Sequence, residues 1–305
     1  MTHELPLVAF TLIAQMSVGS FVVLGLIHLV NARVDPHVMD RVTDPALYAI
    51  GPLLALGMGA STLHLGSPLR GINALRHLGT SWLSNEIAAG IVFLVLGAAF
   101  AAAQWFKVGS PRTRQVLAGA TAGVGLFLVY CINRVYSLPT VPAWDTPYTL
   151  IDFFTTTLLL GALAVGTAMV VTARVRARRG EEDHAQDDEL VLTCLRGIAM
   201  AAMAILAVKF VAQPVYLAYL GTHPDPAAAA SLKIRGETYG AFAVLQYTAI
   251  VAGVAVLGYF LARLSRGPIA QKMLTGVVVS AFSLVFLGEI VGRMLFYASM
   301  VRTGL

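Results

Sequence analysis

Eight apolar runs, each about long enough to cross a bilayer as a helix, constrain this chain more than any other feature. They cover Leu7–Val30, Ala46–Gly66, Trp82–Phe106, Val116–Leu138, Leu150–Thr172, Leu190–Leu220, Tyr239–Arg263 and Met273–Met300. The runs are continuous rather than alternating, which excludes a sheet or barrel. Of the 305 residues, 57% are hydrophobic and only 12% charged, about half the charged share of a soluble domain. The expected fold is therefore an all-α integral membrane protein, an eight-helix bundle forming one membrane domain over residues 1–305. The sixth run is over-long and is expected to leave the hydrocarbon near Pro214. Gly119 and Gly123, at GxxxG spacing, are candidates for close helix packing. Only His3 and Glu4 precede the first run, without a basic leader, so that run reads as a retained span rather than a cleaved signal.

Lys and Arg in the connections set the orientation. One set of loops holds twelve, among them Arg174, Arg176, Arg178 and Arg179; the opposite set holds five, Arg70, Arg76, Lys233, Arg235 and Arg302. The richer side is expected in the cytoplasm, which puts both termini on the periplasmic, outer side. The charged stretch Arg174–Glu189 then reads as a solvated cytoplasmic loop, and the net charge of +5 as topology rather than nucleic-acid binding. In this frame His64, Glu86, Arg134, Asp152, Lys209, Glu289 and Arg293 fall in the outer half of the membrane. Only His28 and Arg196 fall in the inner half. Ionisable groups inside a membrane are costly and mark functional sites by default, so chemistry is expected near the outer face.

The stretch Ser61–Ile87 brings two of these groups together. His64 stands two residues before the Gly66-Ser67-Pro68 helix stop, and Glu86 follows Ser84 and Asn85 in the first turns of the next helix. Each admits a bland reading: an imidazole capping the last carbonyls of one helix, a carboxylate on the positive end of the next. Together they also make a base and an acid at one membrane depth, the set needed to take protons from a lipid-soluble hydroquinone. Arg134 and Tyr136, in the run NRVY, are positioned to orient such a ligand; Arg134 could instead snorkel, or pair with Glu86 or Asp152. Asp152 and Lys209 could pair across the fifth and sixth helices. Glu289 and Arg293, spaced i, i+4 in the favourable order, read first as a self-neutralising pair and second as a lining of the pocket.

Cys131 and Cys194 both lie in apolar runs and cannot supply four cluster ligands, so any iron–sulfur cluster is expected in a partner. His28 and His64 lie on opposite sides of the membrane, so a haem between them is not expected either. The outer connections Pro139–Thr149 and Thr222–Thr238 read as an exposed platform for a soluble partner, with Trp144 a candidate anchor.

The run HLGSPLRGINALRHLGTSWLSNEI resembles the membrane anchor subunit family of dimethyl sulfoxide reductase. Weaker similarity lies in LPLVAFTLIAQMSVGSFVVLGL, RVYSLPTVPAW and GEIVGRMLFY. The resemblance implies a haem-free, eight-helix anchor in a complex of three subunits for anaerobic respiration in the bacterial inner membrane. It implies menaquinol as bound substrate, with electrons passed to a subunit that holds four [4Fe–4S] clusters. A catalytic subunit with molybdenum-bis(pterin guanine dinucleotide) then reduces the terminal substrate. The His of HLGSP and the Glu of SNEI, here His64 and Glu86, are tied to the quinol site in that family. Asn85, Arg134, Tyr136, Glu289 and Arg293 are additional candidates for quinol binding on the leaflet argument. The charged 174–189 loop departs from the family pattern. Two rival readings stand beside it. One is a secondary transporter, with Pro52 and Pro214 marking broken helices in matched halves. The other is a polysulfide- or nitrite-type quinone anchor.

Overall fold

The computed structural model describes residues 5–62, 75–180, 185–267 and 270–304. Nine α-helices are present among them: α1 Leu5–Val30, α2 Pro36–Thr62, α3 Trp82–Trp105, α4 Pro111–Tyr136, α5 Pro147–Arg178, α6 Ala185–Thr222, α7 Pro226–Lys233, α8 Gly240–Leu264 and α9 Gln271–Ala298. A π-helical turn, Ile234–Thr238, links α7 to α8. Seven of the helices, all but α2 and the short α7, are long and apolar enough to cross a membrane.

The expected spans fall on these helices with shifts at the ends. Capping hydroxyls account for several of the starts. Ser81, Ser110 and Thr146 each accept from the backbone N–H three residues on, and Pro occupies the first turns of α4 and α5. The second expected span coincides with α2, which begins ten residues earlier, at Pro36. Its last residues lie outside the described range. Helix α6 runs unbroken through Pro214 for 38 residues, and α2 runs through Pro45 and Pro52. Neither proline interrupts its helix, so the broken helices on which the transporter reading leaned are not formed.

Helices α1 and α5 are central, and 72% of the most apolar window of α1 is buried in the protein. They cross with their backbones in contact. A Cβ at Gly19 would collide with the Thr157 carbonyl, and one at Gly161 with the backbone of Gly19 and Ser20. Small residues therefore do mediate close packing, but not the expected ones: a Cβ at Gly119 or Gly123 meets nothing within 4 Å. Helices α3 and α4 pack chiefly on each other along one flank, and α8 packs on α9 along another. Their outward Leu, Val and Phe side chains, such as Val92, Val95, Val244 and Val251, stay exposed, as lipid-facing residues do.

Candidate functional site

Glu86 sits one turn into α3, and the sequence secures that turn. Ser81 caps the helix, and the Asn85 side-chain oxygen accepts from the Gly79 N–H at 2.8 Å. Gly79 takes φ +81°, a backbone conformation few other residues adopt. The turn into α3 is thus pinned by the expected candidate Asn85. The Trp82 ring meets Tyr130 edge-on at 5.7 Å and carries the Arg134 guanidinium at 5.3 Å, tying the start of α3 to the end of α4. Among the described residues Arg134 makes no ion pair with Glu86 or Asp152, and its Nε has no partner.

The Glu86 side chain is turned into the bundle, with the residue only 8% exposed. Among the described residues no hydrogen bond or cation reaches its carboxyl. Its electrostatic neighbours are Tyr136, Tyr297 and Cys131. A buried carboxyl without a partner is costly and can hold and release a proton. His64, its expected companion, lies outside the described residues.

The other expected candidates gather in a second, denser cluster. Lys209 from α6 donates to both carboxylate oxygens of Glu289 at 2.6 and 2.7 Å, and to Thr156 Oγ1 at 2.8 Å. Thr156 in turn donates to Glu289 at 2.7 Å. The same ammonium lies 3.1 Å from Asp152, so the expected Asp152–Lys209 pairing across α5 and α6 is present. Glu289 and Arg293 do not pair with each other, contrary to their spacing. Arg293 turns to Asp152 at 3.7 Å and donates to Gln15 Oε1 at 3.0 Å, while Phe153 lies 3.9 Å under its guanidinium. The reason is competition: a lysine arriving from another helix neutralises Glu289 bidentately, and Asp152 draws Arg293 away. At 3% exposure Arg293 is buried where α9 meets α1 and α5.

Four residues of this region were not among the sequence candidates. Gln15 and Thr156 are polar residues inside apolar spans, a signal that hydropathy averages away. Tyr297 shares a helical face with Glu289 and Arg293 at i+8 and i+4, a stripe visible in the sequence. Its hydroxyl donates to that of Tyr136 at 2.8 Å. Arg235, placed on the π-helical turn, is buried and donates to Gln246 at 3.1 Å.

The connections 139–149 and 222–238 are more folded than expected. Trp144 is 6% exposed, stacks on Phe296 at 4.9 Å and donates its indole N–H to the Phe296 carbonyl at 2.9 Å. It anchors the loop to α9 rather than presenting itself to a partner. In the 222–238 segment α7 buries Ala227, Ala228 and Ser231 against the bundle. At the opposite end His28 Nε2 lies 3.0 Å from Thr43 Oγ1. There Asp40 and Asp44 of α2 meet Gln104 and Lys107, and Tyr48 donates to Asp44. Burial and the neighbouring Asp40 raise the Asp44 carboxyl above its ordinary range, against the pull of Lys107 and the hydrogen bonds from Gln104 and Tyr48.

Comparison with known proteins matches residues 1–299 to the family described as DMSO reductase anchor subunit (DmsC). An anaerobic dimethyl sulfoxide reductase protein of Escherichia coli (strain K12) is 30% identical over 304 residues, covering 99% of this chain and 97% of that protein. A second anaerobic dimethyl sulfoxide reductase protein of the same organism, YnfH, is 31% identical over 309 residues, again covering 99% and 97%. A sulfite dehydrogenase subunit of Allochromatium vinosum is 33% identical over 133 residues, covering 38% of this chain and 39% of that one.

Proposed function

Because the chain belongs to the DMSO reductase anchor subunit family, we propose that it is the quinol-oxidising membrane subunit of a molybdoenzyme complex. In this reading it crosses the bacterial inner membrane eight times, α2 included, with both termini outside. It binds menaquinol near the outer ends of α2, α3, α4 and α9. His64 accepts or polarises one hydroxyl proton, and Glu86 passes a proton toward the outer water. Two electrons leave singly for a docked subunit that holds [4Fe–4S] clusters, which supplies a molybdenum-bis(pterin guanine dinucleotide) subunit.

The observation that carries this reading is the burial of Glu86 without a hydrogen bond or counter-ion among the described residues. A structural carboxylate in a membrane protein is neutralised by a partner, as Asp152 and Glu289 are here. One left unpaired beside a helix start and a ring-lined helix end is placed to exchange protons with a ligand. Asn85 fixes the turn that presents it, and Arg134 and Tyr136 border the same outer ends. Arg293 and Glu289 stand farther in, where they shape the electrostatics of the pocket rather than face a ligand. The partial match to a sulfite dehydrogenase subunit fits an anchor whose terminal substrate is chosen by its catalytic partner.

Replacement in the assembled, membrane-bound complex tests this. Glu86→Gln should lower quinol-dependent turnover about a hundredfold, the lower end of what positioned proton transfer contributes. His64→Ala should abolish it, with assembly intact in both. Wild-type turnover in either variant would refute the role given to that residue.

A further inference from the structure

Arg134, third from the end of α4, lies where that helix meets the start of α3. Its guanidinium sits 5.3 Å over the Trp82 ring, and that ring meets Tyr130, one turn before Arg134, edge-on at 5.7 Å. Among the described residues the guanidinium has no hydrogen bond and no ion pair, and its Nε is buried without an acceptor. The buried cations elsewhere are treated differently: Lys209 and Arg293 face carboxylates, and Arg235 has Gln246. The sequence explains why no carboxylate reaches Arg134. Between Asp44 and Asp145 the sole acid is Glu86, whose side chain is turned into the bundle. Arg76, exposed in the turn before α3, adds positive charge to the same end.

The surroundings are those of a membrane boundary. Trp82 and Tyr130 are 37% and 38% exposed, near the ends of two apolar helices, the depth at which Trp and Tyr gather in bilayers. Phe127, one turn before Tyr130, and Leu83, beside Trp82, are exposed too, so an apolar surface borders the cation. We propose that Arg134 and Trp82 form a headgroup site for an anionic phospholipid. The guanidinium donates to the phosphate oxygens, the indole face holds the guanidinium in place, and an acyl chain lies along Phe127 and Leu83. A planar fork of N–H donors matches phosphate oxygens two at a time, and such charge-assisted bonds are the strong ones. An anionic headgroup is favoured over a zwitterionic one, because the ammonium of the latter finds no acid here except the inturned Glu86. Arg134 is thereby neutralised from the bilayer rather than from the protein.

The test uses the assembled complex in a neutral detergent, titrated with phosphatidylglycerol or phosphatidylcholine, with bound lipid counted by native mass spectrometry. Wild type is expected to hold one phosphatidylglycerol more tightly than any phosphatidylcholine. Arg134→Gln should weaken that lipid about tenfold. Arg134→Lys, which keeps the charge and loses the fork, and Trp82→Phe, which keeps a ring with a weaker hold on the cation, should each weaken it less, and both preserve the helix ends if Arg134→Gln does not assemble. Arg112→Gln, an exposed arginine at the opposite end of α4, should leave it unchanged. Wild-type retention in Arg134→Gln, or in both Arg134→Lys and Trp82→Phe, overturns the site, as does an equal loss in Arg112→Gln. Displacement of the lipid by millimolar inorganic phosphate overturns the lipid assignment in favour of a free anion. A complex that holds no phosphatidylglycerol overturns it in favour of a contact with a partner subunit.

Discussion

Two sets of charged side chains lie inside this bundle, and they are treated in opposite ways. Around Lys209, four helices converge and nearly every ionic atom has a partner: Glu289 takes the ammonium and Thr156, Asp152 takes the ammonium and Arg293, and Arg293 also holds Gln15. Around Glu86 there is one carboxyl, one pair of hydroxyls and no counter-ion among the described residues. The first arrangement spends its charges on each other and ties α1, α5, α6 and α9 together. The second holds a buried carboxyl with no counter-ion among the described residues, the group to which we assign proton exchange. Intramembrane charge alone therefore does not single out one group; among the described residues the two sets differ in whether their carboxyls have a partner.

The contrast breaks most visibly at Lys209. Lys209→Met leaves a buried and a half-buried carboxylate, Glu289 and Asp152, with a single cation between them and should cost about 3–5 kcal/mol of stability, read as lost thermal stability of the detergent-solubilised complex. Adding Glu289→Gln removes one of the stranded charges and should recover a large part of that loss. Glu86→Gln sharpens the comparison from the other side: relieving a buried, unpartnered carboxyl should leave the melting temperature unchanged or slightly higher while turnover collapses. The smallest effect lies at the far end of α2. Asp44 has its folded pKa raised, so ionising it at neutral pH works against the folded state. Asp44→Asn should therefore raise thermal stability modestly at pH 7. The gain should shrink as pH falls through the raised pKa and vanish below the ordinary carboxylate range, where both side chains are neutral.

Much of this was legible in the sequence, for identifiable reasons. Helix positions followed from apolar length, because a membrane span must satisfy its own backbone. The Asp152–Lys209 pair was foreseeable because two opposite charges in one leaflet have few other options. The exchange of partners between Glu289 and Arg293 was not, since i, i+4 spacing reports neighbours on one helix and is silent about a lysine arriving from another. Trp144 looked like an exposed anchor because hydropathy does not see that its indole N–H has a carbonyl of α9 to bond. Gly119 and Gly123 satisfied a motif, yet the close crossing formed at Gly19 and Gly161, a pairing that depends on which helices meet. Tyr297 could have been found, because it continues the Glu289–Arg293 face by one more turn.

The Gly19–Gly161 crossing has a mechanical consequence. Where two backbones touch with no side chain between them, a slide or roll of either helix meets a clash, so α1 and α5 form a rigid keel. The carboxyl at Glu86 is not mounted on that keel. It rides on the α3–α4 hairpin, whose two helices hold mainly to each other and present much of their surface to lipid. If a bulky, membrane-dissolved ring enters beside this hairpin, as we propose, a tilt of α3 and α4 would carry the acid with it while the charge network joining α1, α5, α6 and α9 stays still.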